Sequence, residues 1–245
     1  MTDIASSVAE PADACSGERL RDAGPRAPER FPVQTPGYRG FALTLLVVAF
    51  MLNFVDRQVV NILAEPIKRE LLLADWQLGL MTGLAFALLY TIAGLPIARW
   101  ADRGDRPRII ALAILVWSLF TALCGVARTF PQLLLGRIGV GIGEAGLTPA
   151  ATSLIVDYTP REKRASALAI YYLGLPLGTL FGMALGGLVA DSYGWRTAFL
   201  VVGIPGVLMA PVMLLALREP RRGIAAAAAA TPPMGAMQSL RLLWS

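Results

Sequence analysis

Histidine is absent from all 245 residues, and cysteine occurs only twice, as Cys15 and Cys124. The first absence removes the commonest metal ligand and the side chain that titrates nearest neutrality, so no metal site or cofactor is expected and proton chemistry falls to carboxylates. The second leaves no disulfide framework, because Cys15 lies in a polar N-terminal stretch and Cys124 inside a long apolar run. Charge is scarce too: 16% of residues are charged against 56% hydrophobic, with a mean hydropathy of +0.58, outside the balance of soluble domains. Strict apolar and polar alternation is missing, since stretches such as Ile109 to Phe120 are apolar on both sides, which excludes a membrane β-barrel. No assembled nucleophile, metal set or phosphate-binding loop is present, so an enzyme is not expected.

Long apolar runs fill that space. They cover residues 41–64, 77–100, 108–127, 131–157, 165–189 and 196–217, each near the roughly 20 residues a helix needs to cross a bilayer. The sequence therefore predicts an all-α membrane protein with six transmembrane helices. Residues 1–39 are polar and proline-containing and read as a flexible tail; no apolar core before a cleavage site makes them a signal peptide. Residues 40–219 form the six-helix unit. Residues 220–245, with alanines from Ala225 to Ala230 and Pro232-Pro233, read as a linker that stops short of a seventh span.

The net charge of +5 follows topology rather than nucleic acid. Arg39 and the arginines before it, the loop from Arg99 to Arg108, the loop with Arg161, Lys163 and Arg164, and the segment with Arg218, Arg221, Arg222 and Arg241 all fall on one side. Lys68, Arg69, Arg128 and Arg196 fall on the other. The positive-inside rule places both termini in the cytoplasm of an inner or plasma membrane protein.

An internal repeat is legible. Ala101-Asp102-Arg103-Gly104 after the second run resembles Ala190-Asp191 to Arg196 after the fifth. The offset carries three helices, an odd number, so the copies lie on opposite membrane faces, which is the mark of a 3+3 inverted repeat. The same offset brings Asp56 in the first run to within one residue of Glu144 in the fourth.

These carboxylates sit among other polar groups. Asn53, Arg57 and Asn61 are four residues apart with Asp56 beside them, so they form one stripe; facing lipid, a central charge would cost at least about 2.5 kcal/mol. The stripe should face a cavity, although an Asp56–Arg57 pair that only fixes packing is the alternative. Arg137 and Glu144 share one face of the fourth run about 10 Å apart, so each needs a partner on another helix, Arg137 being placed to meet Asp56 or an anion. Gly178, Gly182 and Gly186 suit close helix packing. Pro149, Pro176 and Pro205 are expected to interrupt their spans. Asp102, with Arg103 and Arg106 of the same loop, reads as a conformational latch; topology anchoring is the competing role.

The loop from Asp102 to Arg108 resembles the signature that follows the second helix of the major facilitator superfamily. Ala98 and Asp105 stand where it has glycines and Pro107 where it has a basic residue; Asp105 is expected to take the left-handed turn that glycine would supply. Arg137, Gly141 and Gly143 are similar to the fourth-helix signature. Asn53-Phe54-Val55-Asp56-Arg57 with Gly141 to Ala145 resembles the bacterial spinster-like subfamily. The resemblance implies the N-terminal half of a proton-coupled secondary transporter, with Asp56 and Glu144 in proton coupling and Asn53, Arg57, Asn61 and Arg137 in substrate binding or coupling. The implied partners are protons, the lipid bilayer, a small amphipathic or organic anion and a second half or second chain, with no nucleic acid. An anion:cation symporter is the nearest variant, and a non-transporting membrane fragment or interaction module the alternative of another class.

Overall fold

The computed structural model describes residues 35–221, so most of the tail and of the linker lie outside the described residues. Six helices there are long and apolar enough to cross a membrane: α1 Pro36–Leu71, α2 Asp75–Ala101, α3 Arg106–Cys124, α4 Phe130–Tyr158, α5 Arg161–Tyr193 and α6 Trp195–Ala216. No strand occurs among the described residues. Helices are what lipid demands, because each backbone N–H and C=O must be satisfied within its own segment. The first helix begins at Pro36, inside the stretch read as tail, where proline fits the first helical turn and costs no hydrogen bond.

Two spans are broken, and proline chemistry accounts for where. The fourth is helical to Glu144, turns at Ala145 and Gly146, and resumes from Leu147 to Tyr158; Pro149 has no N–H to offer the carbonyl four residues earlier, that of Ala145. Likewise α5 breaks at Leu173, before Pro176. The expected interruption at Pro205 is not found. Pro205 and Pro211 both lie inside one continuous helix, Trp195–Ala216, as do Pro66 in α1 and Pro96 in α2.

Asp105 is a second correction. Its φ of −81° and ψ of 101° are extended rather than left-handed, and its Oδ1 accepts the Arg108 N–H at 3.1 Å. It caps the N-terminus of α3 through a side-chain hydrogen bond that the glycine of the family signature has no atom to make.

Packing interleaves the two repeats. The third helix of each, α3 and α6, lie against one another, while α1 packs on α5 and α4 on α2 and α3. Each repeat's first helix thus rests on the other repeat's second helix. Close approach along α1 and α5 depends on glycines four residues apart. A Cβ at Gly174 would sit 2.9 Å from the Val47 carbonyl oxygen, and one at Gly182 2.9 Å from that of Val55. Gly178 meets the Met51 carbonyl oxygen still more closely. Between α3 and α6, Gly203 approaches the Ser118 carbonyl oxygen in the same way, at 2.8 Å. Backbone-to-backbone packing of this kind replaces the hydrophobic drive that lipid does not supply.

Candidate functional site

Successive residues on a helix diverge by roughly 100°, and Asp56 and Arg57 use that divergence to reach different partners. Arg57 Nε donates to Glu144 Oε2 across to α4 at 2.6 Å. Asp56 Oδ2 accepts from the Thr121 hydroxyl of α3 at 2.7 Å, and its Oδ1 lies 3.7 Å from Arg137 Nη1 of α4. Two ion pairs therefore join α1 to α4, with an acid from each helix and a base from each. Asn53, Asp56, Arg137 and Glu144 are all at most 2% exposed, whereas the Arg57 side chain keeps 26%.

The Asp56–Arg57 packing pair weighed as the alternative does not form; the pairing is between helices. Asn61, the last residue of the stripe, is exposed and donates to Gln58 at 3.5 Å, so it stands apart from the buried cluster. Two charges of each sign balance, which limits the desolvation cost that any isolated buried ion would carry. Hydrogen-bonding capacity is left over: Asn53 Nδ2, Asp56 Oδ1, Arg137 Nη1 and Glu144 Oε1 have no hydrogen-bond partner among the described residues. Such spare capacity at a buried charge is what a group that exchanges partners requires.

Aromatic rings complete the site. The Arg57 guanidinium lies 5.2 Å from the centre of the Phe54 ring, 5.1 Å from Phe86 and 4.8 Å from Tyr90, while Arg137 lies 5.4 Å from Phe86. Phe86 of α2 thus touches both cations, within cation–π range. Nothing in the spacing of Phe86 and Tyr90 distinguishes them from lipid-facing aromatics, so the sequence does not single them out. The break after Glu144 places that carboxylate at the end of a half-helix, beside freed backbone, as in the discontinuous helices that form membrane binding sites.

The loop expected to act as a latch centres on Arg106. Its side chain is wholly buried and donates to Asp157 Oδ2 at 2.6 Å, Ser153 Oγ at 3.0 Å and both oxygens of Glu219, the Nε to Oε2 bond being 3.0 Å. Asp157 ends α4 and Glu219 follows α6, so one guanidinium ties three helix ends together. The sequence reading missed both acids, because each stands at the edge of an apolar run where a charge is unremarkable. Asp102 and Arg103 belong to the last turn of the helix, and their side chains lie outside the described residues. Burial works against ionisation of Glu219, but the Arg106 guanidinium and the backbone N–H groups of Arg106 and Arg221 overcome it and hold this carboxyl below its usual range.

An equivalent arrangement occupies the opposite face. Arg196, at the start of α6, pairs with Glu70 near the end of α1, and Trp195 Nε1 donates to the same carboxylate at 2.5 Å. In the inverted repeat α6 corresponds to α3 and α1 to α4, so Arg196–Glu70 stands where Arg106–Asp157 stands in the other copy. The Arg196 pair is partly open to solvent, with side chains 36% and 50% exposed.

Comparison with known proteins fits this geometry. A family model described as Major Facilitator Superfamily matches residues 46–245. An MFS-type efflux pump of Mycolicibacterium smegmatis is 40% identical over 174 residues, 71% of this chain and 41% of that protein. A probable L-galactonate transporter of Escherichia coli is 30% identical over 169 residues, 69% of this chain and 37% of its own length. Among solved structures, a bacterial homologue of the human lysosomal transporter spinster, inward-facing and unoccupied, superposes with a TM-score of 0.73 at 41% identity, covering 76% of this chain and 44% of that one. The chain spans about two fifths of the length of the relatives it matches.

Proposed function

This chain belongs to the major facilitator superfamily, and from that premise we propose that it is the N-terminal half of a proton-coupled secondary transporter for an amphipathic or organic anion. Both termini are assigned to the cytoplasm on the distribution of basic residues. The observation that carries the reading is the crossed pair of buried ion pairs, Arg57 to Glu144 and Arg137 to Asp56.

A proton arriving at Glu144 removes the negative partner of Arg57. The guanidinium is then held by Phe54, Phe86 and Tyr90 alone, and its charge becomes available to an anion. Release of the proton restores the ion pair and expels the anion, so proton and substrate alternate at one cation. Asp56 and Arg137 offer a second exchange of the same kind, with Asn53 beside them; Asn61, exposed farther along the helix, is assigned to the substrate path rather than to coupling. Intramembrane ionisable residues facing a bundle interior commonly serve such pathways. The relative named for L-galactonate transport favours an organic carboxylate within the anion class, which is also the chemistry of an anion:cation symporter. Arg106, with Asp157 and Glu219, is assigned to holding one conformation, and Asp102 and Arg103 to the same loop's contacts.

The whole protein, purified and placed in liposomes with an imposed pH gradient, should move L-galactonate or a related anion and carry protons with it. Glu144→Gln should abolish gradient-driven uptake while leaving exchange of internal for external substrate. Undiminished coupled flux in that variant would remove Glu144 from the mechanism.

A further inference from the structure

Two adjoining cavities on the outer side of α3 and α6 are used by nothing described above. The first, of about 500 Å3, is a trough between these helices lined by Ala111, Leu112, Leu115, Ala210, Pro211 and Leu214, with Trp100 and Arg108 at its upper end. The second, of about 460 Å3, shares Leu214 and Arg108 with it and continues past the helix ends to Arg218 and Glu219. Along α3 the apolar part runs from Ala111 to Leu115, and with Arg108 above it the groove is about 10 Å long at the helical rise.

Chemistry changes sharply along this groove. Its deep part offers only aliphatic side chains, and its mouth offers two exposed arginines. Of the described acids that line it, Glu219 has both oxygens engaged by Arg106, and Asp105 accepts the Arg108 N–H in its capping role, its other oxygen lying 3.8 Å from Arg108 Nε. The Arg108 side chain remains 69% exposed. Arg218 leans over the Tyr38 ring at 5.9 Å, a contact that orients its guanidinium without neutralising it. Trp100, 52% exposed, lies beside the last residue of the span Asp75–Ala101, and indoles favour the boundary between hydrocarbon and headgroups.

We propose that this groove binds one acidic phospholipid, its acyl chain in the trough between α3 and α6 and its phosphate between Arg108 and Arg218. The occupant follows from surroundings and charge together. Both helices are candidate membrane spans, so lipid is what the trough meets, and a singly charged phosphate complements a mouth with two guanidiniums and one shared carboxylate. A zwitterionic lipid would bring its own cation to a site already rich in them.

Native mass spectrometry of the protein released from nanodiscs of equal phosphatidylglycerol and phosphatidylcholine tests this. The unmodified protein should retain one phosphatidylglycerol in preference to phosphatidylcholine. Arg108→Gln with Arg218→Gln should lower that preference about 30-fold, the ratio expected for two basic side chains near an acidic headgroup. Arg108→Lys with Arg218→Lys, which keeps the charge, should retain most of it. Arg161→Gln with Lys163→Gln removes the same charge from the same membrane face outside the groove and should leave retention unchanged. Equal loss in that last pair, equal retention of the two lipids by the unmodified protein, or displacement of the lipid by soluble glycerol 3-phosphate would each overturn the proposal, the last by making the mouth a site for a free phosphate ester.

Discussion

Gly182 and Gly187 lie five residues apart in α5, and alanine at the two positions should have opposite effects. A methyl group at Gly187 meets nothing within 4 Å, so Gly187→Ala keeps only the helical preference of alanine over glycine, about 1 kcal/mol in favour. At Gly182 the same methyl group would stand 2.9 Å from the Val55 carbonyl oxygen and 3.0 Å from its Cα. Those atoms are backbone and cannot rotate away. Ordinary contact at about 3.5 Å or more would force α1 and α5 apart by roughly 0.6 Å, and a gap of that order forfeits at least a quarter of the attraction between the facing atoms. Overpacking of this kind costs about 1 to 3 kcal/mol, which the propensity gain offsets only in part. The two variants should then differ by about 1 to 3 kcal/mol, or roughly 3 to 9 °C in Tm for a chain of this size. Thermal unfolding of both in the same detergent, followed by tryptophan fluorescence, measures the difference. Equal Tm values would refute the claim that α1 and α5 are held at backbone contact, since helical preference alone treats the two sites alike.

Arg106→Gln leaves the buried Glu219 carboxylate without its guanidinium, while the partly exposed Asp157 keeps Arg221 at 3.5 Å, and should cost about 3 to 5 kcal/mol, whereas Arg196→Gln breaks a half-exposed pair worth at most about 1 kcal/mol; denaturant midpoints of the two variants should rank in that order. Glu219 carries a depressed pKa, so its stabilising contribution is complete above its ordinary value of 4.5 and is lost as pH falls through the lower, folded value. Stability of the unmodified protein should therefore fall below about pH 4.5 more steeply than that of Glu219→Gln, and parallel acid profiles would contradict the assignment.

Much of this was legible before any coordinates. Six apolar runs became six helices because the length needed to cross lipid and the need for internal hydrogen bonding leave few other choices. The offset between Asp56 and Glu144 anticipated their equivalent places in the two repeats, and the gap between Arg137 and Glu144 anticipated partners on other helices, Asp56 among them. What escaped was contact between residues with no common pattern. Asp157 and Glu219 converge on Arg106 only because α4 and α6 end beside the start of α3, and Phe86 reaches both arginines only because α2 crosses them. Asn61 fits the stripe by spacing yet stands exposed, since the buried face of α1 runs on through Val60, Leu63 and Ile67 to one side of it. Pro205 leaves its helix unbroken where the fourth span breaks just before Pro149, so a proline in the sequence marks where a break can fall and not that one occurs.

The interleaving of α1 with α5 and α4 also sets an order of events during synthesis. When α1 leaves the ribosome, the glycines that will receive it and the arginine and glutamate that will pair with it are still unmade. At about 5 to 20 residues per second, the wait from Val55 to Gly182 lasts roughly 6 to 25 seconds. Until Arg137 and Glu144 are made, partway through that interval, Asp56 and Arg57 have no ion-pair partner on α4. Side by side on one helix, they give the newborn span no net charge to carry into the bilayer, a service the finished fold no longer needs because by then each has turned to a partner of its own.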